Sequence, residues 1–172
     1  VRSLRNFARL DEAEVREADL HEGLDSTLTL VHHELKNRIT VRKEYGDLPK
    51  VPCHPNQLNQ VFMNILVNAG HAIQGPGTVT IRTSRDGDMV KIRISDSGCG
   101  IPAENLARVF DTGFTTKDAG VGTGLGLAIC AKIVQDHHGK LEVESEVGKG
   151  TTFTICLPVE WKTSQSSDDS QS

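Results

Sequence analysis

The chain has 172 residues, of which 37% are hydrophobic, 4% aromatic and 24% charged, and its formal net charge is -4. That size and composition suit one soluble domain with an aliphatic core, and the acidic balance gives no support for nucleic-acid binding. No apolar run is long enough to span a bilayer and no signal-peptide pattern opens the chain, so no membrane contact is expected of it and any anchor would lie outside it.

Residues 1–19 read as the end of a helix, with Val1, Leu4, Phe7 and Ala8 at helical spacing. The pattern is already under way at residue 1, which predicts a helix beginning upstream. A second helix is expected from Leu24 to Leu35 on the stripe Leu24, Leu28, Val31 and Leu35. Ile39 to Tyr45 alternates as a short strand, and Pro49, Pro52 and Pro55 then exclude a helix. A long helix follows over about 56–73, its apolar face made of Leu58, Val61, Phe62, Ile65, Leu66, Ala69 and Ile73.

Two alternating strands, 78–84 and 89–96, flank the hairpin signal Asp86-Gly87. A short helical piece near 103–110 sits in a loop-rich stretch. A helix over about 124–138 ends at Gly139, read as its C′ glycine, with His137 and His138 in capping positions. A last hairpin joins 140–146 to 151–157 across Gly148-Lys149-Gly150, and the polar stretch 162–172 reads as disordered. The order of elements predicts a two-layer α/β sandwich, a mixed, mostly antiparallel sheet with helices on one face. Cys53, Cys99, Cys130 and Cys156 form no C-x-x-C pair and read as reduced thiols of a cytoplasmic protein.

Asn64 and Asn68 lie four apart on the long helix, hence on one side of it, inside an apolar run. They read either as polar boundary residues or as oxygen ligands for Mg²⁺ and phosphate, since an amide carbonyl suits a hard cation and adds no charge. Asp96-Ser97-Gly98-Cys99-Gly100-Ile101-Pro102 follows an apolar strand. Its glycines permit close approach of backbone to a flat ligand, Asp96 can accept from an adenine amine, and Ile101 can pack on its face. Gly122, Thr123, Gly124, Leu125, Gly126 and Leu127 lead into a helix whose N-terminal N–H groups suit phosphate. This is neither a P-loop nor a dinucleotide fingerprint. Between the two loops, Thr115, Thr116 and Lys117 offer hydroxyls and an amine, with Lys117 a candidate γ-phosphate contact, and 118–122 a candidate lid.

Taken together, "NQVFMNILVNAGHAI", "DSGCGIP", "FTTK" and "GTGLGLAI" resemble the N, G1, F and G2 boxes of the GHKL (Bergerat) ATPase superfamily, over residues 24–158. Within it the chain is most similar to the catalytic, ATP-binding domain of sensor histidine kinases. The resemblance implies ATP and Mg²⁺ as cofactors. Asn68 would ligate the metal, Asn64 would support metal and phosphates, and Asp96, Gly98, Gly100, Ile101 and Thr151 would form the base pocket. Gly122 to Leu127 would wrap the phosphates. It also implies two partners, a dimerisation hairpin bearing the acceptor histidine, homodimeric in the full protein, and the receiver domain of a response regulator. Residues 1–19 would then be the second hairpin helix, 20–160 the catalytic domain and 161–172 a tail.

Two positions depart from the pattern. Thr112-Gly113 stands where the family often has proline and an aromatic, and His71 where it commonly has a phosphate-contacting lysine or arginine. His33-Glu34-Leu35-Lys36-Asn37 resembles the acceptor box but precedes Asn64 by too little chain to lie on a first hairpin helix. Chaperone- and topoisomerase-type relatives activate water with a glutamate where this chain has Asn64, which argues for transfer to protein over hydrolysis. An anti-sigma-type serine kinase and a nucleotide-binding pseudokinase are the other readings.

Overall fold

The computed structural model describes residues 15–35, 38–111 and 126–161. Its sheet is built around the β4 (Gly77–Asp86) and β5 (Met89–Asp96) hairpin, where Gly87 takes the left-handed conformation, φ 62, that the tight turn demands. β2 (Ile39–Tyr45) pairs parallel with β4. β7 (Gly150–Pro158) pairs antiparallel with both β5 and β6 (Lys140–Glu146), which gives the order β2-β4-β5-β7-β6.

One sheet face carries Val79, Ile81, Val90, Ile92, Ile94, Phe153, Ile155 and Leu157, all buried. Helix α3 (Pro55–Ala72) packs on β5 and β7, and α5 (Gly126–Asp136) packs on β6 and β7 and against α3. Leu58, Val61, Phe62, Ile65, Leu66 and Ala69 of α3 close the core, as the helical period requires. Each such large side chain contributes about 1.5–3 kcal/mol by leaving water. The sandwich with a mixed, mostly antiparallel sheet is the one expected from the sequence.

The edges differ from expectation. Arg16–Ala18 is not the end of a helix but a strand, β1, paired antiparallel with β3 (Val51–Cys53). This two-stranded ribbon has no interior ladder to break, so Pro52 is tolerated in it. Helix α1 runs from Leu20 to Leu30, earlier than predicted, because Asp19 caps it by accepting the N–H of His21 at 2.9 Å and of Glu22 at 3.3 Å. It breaks at Val31 before a single helical turn, α2 (His32–Leu35). The helical piece after Pro102 is only α4, Ala103–Leu106.

The end of α5 also differs. The residue with positive φ is His138, at 63, not Gly139. His138 N–H bonds the Gln135 carbonyl and Gly139 N–H the Val134 carbonyl, both at 2.9 Å, a Schellman closure with His138 at C′. Glycine is needed at 139 for another reason: a side chain there would collide with the Cys156 carbonyl of β7.

Arg38 closes the other end of the main helix. Its guanidinium donates to the carbonyls of Gly70 at 2.9 Å, Ile73 at 2.6 Å and Gly75 at 3.3 Å, meeting the negative end of α3 with a cation.

Candidate nucleotide site

Strand register sets Ser145, Thr151, Asp96 and Val79 in one row across β6, β7, β5 and β4. Directly paired residues of antiparallel strands share a face, so all four side chains lie on the helix-covered side. Asp96 ends β5 within this row. The N–H of Gly98 donates to its Oδ1 at 2.8 Å, and the backbone N–H of Thr151 also reaches the carboxylate. Burial nonetheless raises its pKa above the usual aspartate value, outweighing the two N–H donors.

The loop after Asp96 is bound on two sides. Cys99 N–H donates to the Ala72 carbonyl at 3.1 Å, and the Cys99 carbonyl accepts from Gly148 N–H at 2.8 Å. Ile101 N–H donates to Ser145 Oγ at 2.7 Å. A side chain on Gly98 would stand 2.6 Å from the Ala72 carbonyl oxygen, so this glycine serves a close approach between loop and helix. Gly100 turns the loop with φ 80 against the Glu146 carbonyl.

Asn64, Asn68 and Ala72 follow at four-residue steps along α3, so the helix stripe bearing both amides ends where the loop after Asp96 is anchored. His71 sits in the last turn, half-buried. The Asn64 amide nitrogen points to the Gly126 carbonyl at 3.4 Å and to Cys130 Sγ at 3.5 Å. This leaves Oδ1 as the acceptor end of the amide. Gly126, the first residue of α5, faces this amide and has room to spare, while Leu127 packs half-buried on the core. Phe110 meets Phe153 edge-on at 6.4 Å and ties the segment after α4 to the sheet.

The structure therefore brings together Asn64 and Gly126, and Asp96, Gly98 and Thr151, with Gly100 and Ile101 fastened to the β6–β7 hairpin. Thr115, Thr116, Lys117, Gly122, Thr123, Gly124 and Leu125 lie outside the described residues, as do Thr112-Gly113. His33 is exposed in α2. Ser145 and Arg38 were not singled out from the sequence. Ser145 extends the inward alternation of Leu141 and Val143, which is the signal that marks it.

Among the described residues no cluster of three or more His, Cys, Asp or Glu side chains could hold a metal. The donors present, two amides on one helix stripe, fit a hard cation that shares its ligands with phosphate oxygens. A separate cleft, lined by Arg16, Lys50, Cys53 and Asn59 at the N-terminal ends of α1 and α3, holds none of these residues.

The site is thus a helix-backed sheet with a carboxylate at one strand end and amides on the facing helix. Residues 53–160 match the model of the histidine kinase-, DNA gyrase B- and HSP90-like ATPases, and the chain belongs to that family. It is 38% identical over 161 residues to sensor histidine kinase ZraS of Escherichia coli (strain K12), spanning 92% of this chain and 34% of that protein. The chain thus spans about a third of the length of this curated relative. The catalytic domain of histidine kinase ThkA superposes with a TM-score of 0.77 at 30% identity, over 85% of this chain and 96% of that one. ThkA in complex with response regulator protein TrrA gives 0.72 at 27% identity, over 85% and 42%. Full-length ShkA in complex with AMPPNP gives 0.77 at 25% identity, over 88% and 32%.

Proposed function

We propose that this chain is the catalytic domain of a two-component histidine kinase. It binds Mg²⁺·ATP and directs the γ-phosphoryl group to a histidine nitrogen on a dimerisation hairpin, for onward transfer to a response regulator aspartate. The observation that carries the reading is Asn64. Its amide nitrogen is taken up by the Gly126 carbonyl and Cys130, so it offers the site an oxygen ligand and no general base. A site without a carboxylate at that position has nothing there to activate water, which favours a protein acceptor over hydrolysis.

The roles are those that the resemblance to the family implies. Asp96 and Thr151 hold the base, and Gly98, Gly100 and Ile101 shape its wall. Asn68 and Asn64 supply oxygens to the cation, with His71 near the phosphates. Thr115, Thr116, Lys117 and the turn Gly122 to Leu127 would surround the phosphate chain. Bound Mg²⁺ would neutralise phosphate charge, and the protein contributes position and exclusion of water. Such a domain works on the cytoplasmic side, where ATP is found. No described helix is long and apolar enough to cross a membrane.

ThkA in complex with a response regulator and ShkA in complex with AMPPNP support the partner and the nucleotide. The test is to supply a hairpin fragment bearing an acceptor histidine and follow label from γ-labelled ATP. Acid-labile, base-stable label on the hairpin is expected, with none on His33 of the chain alone. Rapid release of free phosphate with no protein label overturns the reading. Asn68→Ala should abolish Mg²⁺-dependent ATP binding in calorimetry, and unchanged affinity removes the metal assignment.

A further inference from the structure

Ser145 belongs to none of the nucleotide motifs, yet its hydroxyl joins three parts of the base pocket. Oγ receives the Ile101 N–H at 2.7 Å, donates to the Gly150 carbonyl at 2.9 Å and lies 2.8 Å from Thr151 Oγ1. A serine hydroxyl has one proton and two lone-pair sites. An amide N–H can only donate and a carbonyl can only accept, so Ile101 occupies a lone pair and Gly150 takes the proton. The third contact is then satisfied only if Thr151 donates to Ser145.

This has a consequence at Thr151, which is 5% exposed. Its one hydroxyl proton is committed to Ser145, so toward the rest of the site Oγ1 presents lone pairs. Its neighbour in the row, Asp96, is likewise acceptor-only when ionised, with the Gly98 N–H already on Oδ1. The two residues form a surface of acceptors that a donor must meet.

We propose that Ser145 is a positioning residue that sets base specificity: by holding the Thr151 hydroxyl as an acceptor beside Asp96, it makes the pocket select adenine and reject guanine. Adenine carries an amino group at the purine 6-position and donates there. Guanine carries a carbonyl oxygen and would set acceptor against acceptor, leaving buried groups unpaired. The proposal rests on the reading that the base lies against Asp96 and Thr151. With Ser145 truncated, the Thr151 hydroxyl turns freely and can donate to the guanine carbonyl.

The experiment is calorimetric titration of the full chain with ATP and with GTP, each with excess Mg²⁺. The wild type should prefer ATP. Ser145→Ala should narrow the ATP-to-GTP affinity ratio about tenfold, the value of one hydrogen bond. Ser145→Thr, which keeps the hydroxyl, should retain the ratio. In a Thr151→Val background Ser145→Ala should leave the ratio unchanged, because the rotor is gone. A purely structural serine would weaken both nucleotides by the same factor, and that result overturns the proposal even with ATP binding intact. A narrowed ratio that persists in Thr151→Val overturns it too. Failure of the wild type to bind ATP overturns the underlying reading, and the proposal with it. Thermal melts establish that Ser145→Ala is folded, and if it is not, Ser145→Cys, whose thiol is only a weak hydrogen-bonding group, carries the test with the same narrowed ratio expected.

Discussion

A methyl group placed on Gly98 would stand 2.6 Å from the carbonyl oxygen of Ala72 and 2.7 Å from its carbonyl carbon. The loop after Asp96 is thus pressed onto the last turn of the helix that carries Asn64 and Asn68. The obstacle is backbone, which cannot swing aside as a flexible side chain would. Gly98→Ala must therefore lift the loop from α3 or shift the helix end. The expected cost is about 1–3 kcal/mol of stability, the usual range for overpacking. ATP affinity should fall as well, because Asp96 loses the Gly98 N–H that orients it. Urea unfolding and calorimetry on the same sample check both, and a variant indistinguishable from wild type in both refutes the close-approach account.

Asp96 should be a site where binding is gained at the expense of stability. Burial raises its pKa in the fold. A carboxyl with a raised folded pKa adds stability below its unfolded pKa, and that contribution is lost as pH rises through the folded value. At neutral pH the ionised group is therefore a burden on the apo fold. Asp96→Asn keeps an oxygen for the Gly98 N–H and removes the charge. Its melting temperature at pH 7 should equal or exceed the wild-type value, while ATP affinity drops about tenfold or more. In the wild type, affinity should fall on acidification from a pH above the ordinary aspartate range, and the Asp96→Asn variant should not show this fall. A marked loss of stability in the variant contradicts the linkage.

Most of the sandwich was legible because long elements repeat their pattern. Six buried apolar positions at helical spacing define α3, and Val90, Ile92 and Ile94 define β5 by alternation. What escaped depends on partners distant in sequence. β1 and β3 are three residues each, too short for either period to show, and they exist by pairing with one another. The helical reading of Arg16–Ala18 failed for that reason. The purposes of Gly98 and Gly139 were hidden likewise, because the atoms that crowd them, on Ala72 and Cys156, lie on other elements. Ser145 stands in a run of glutamates that reads as solvated, and only its phase with Leu141 and Val143 places it inward.

Arg38 illustrates the same point and yields a prediction. Its guanidinium reaches carbonyls of Gly70, Ile73 and Gly75, while its own carbonyl accepts the Gly77 N–H at 2.9 Å. One residue, by side chain and backbone together, thus satisfies the end of α3 and the turn into β4. Arg38→Met keeps the apolar stem and removes the donors. The expected loss is about 1–3 kcal/mol, from charge-assisted hydrogen bonds and the helix end together. Amide hydrogen exchange should speed up in the last turn of α3 more than in β7. Uniform acceleration across the sheet would mean that Arg38 acts only on global stability.

His137 adds a second pH dependence to the fold, alongside that of Asp96. It is 1% exposed. Its Nδ1 lies 2.8 Å from the Ile133 carbonyl, which can only accept, so Nδ1 carries the proton. Its Nε2 accepts the backbone N–H of His54 at 3.0 Å. The ring is thus held neutral in one tautomer, and a second proton on Nε2 would set it against the His54 N–H. Burial depresses the pKa, the nearby His54 and His138 act in the same direction, and the Ile133 carbonyl and Asp136 oppose it. The unfolded chain therefore binds the proton more readily. This contribution to stability is complete above the unfolded value of 6.5 and is lost as pH falls through the lower folded value. Because His54 leads directly into Pro55, the first residue of α3, protonation loosens the start of the helix that carries both asparagines. His137→Gln should be less stable than wild type at pH 7 but lose less stability between pH 7 and 5. Trp161, the chain's single tryptophan, lies 5.6 Å from the His137 ring and reads the transition by fluorescence. Equal slopes of stability against pH in the two proteins would remove His137 as the titrating group.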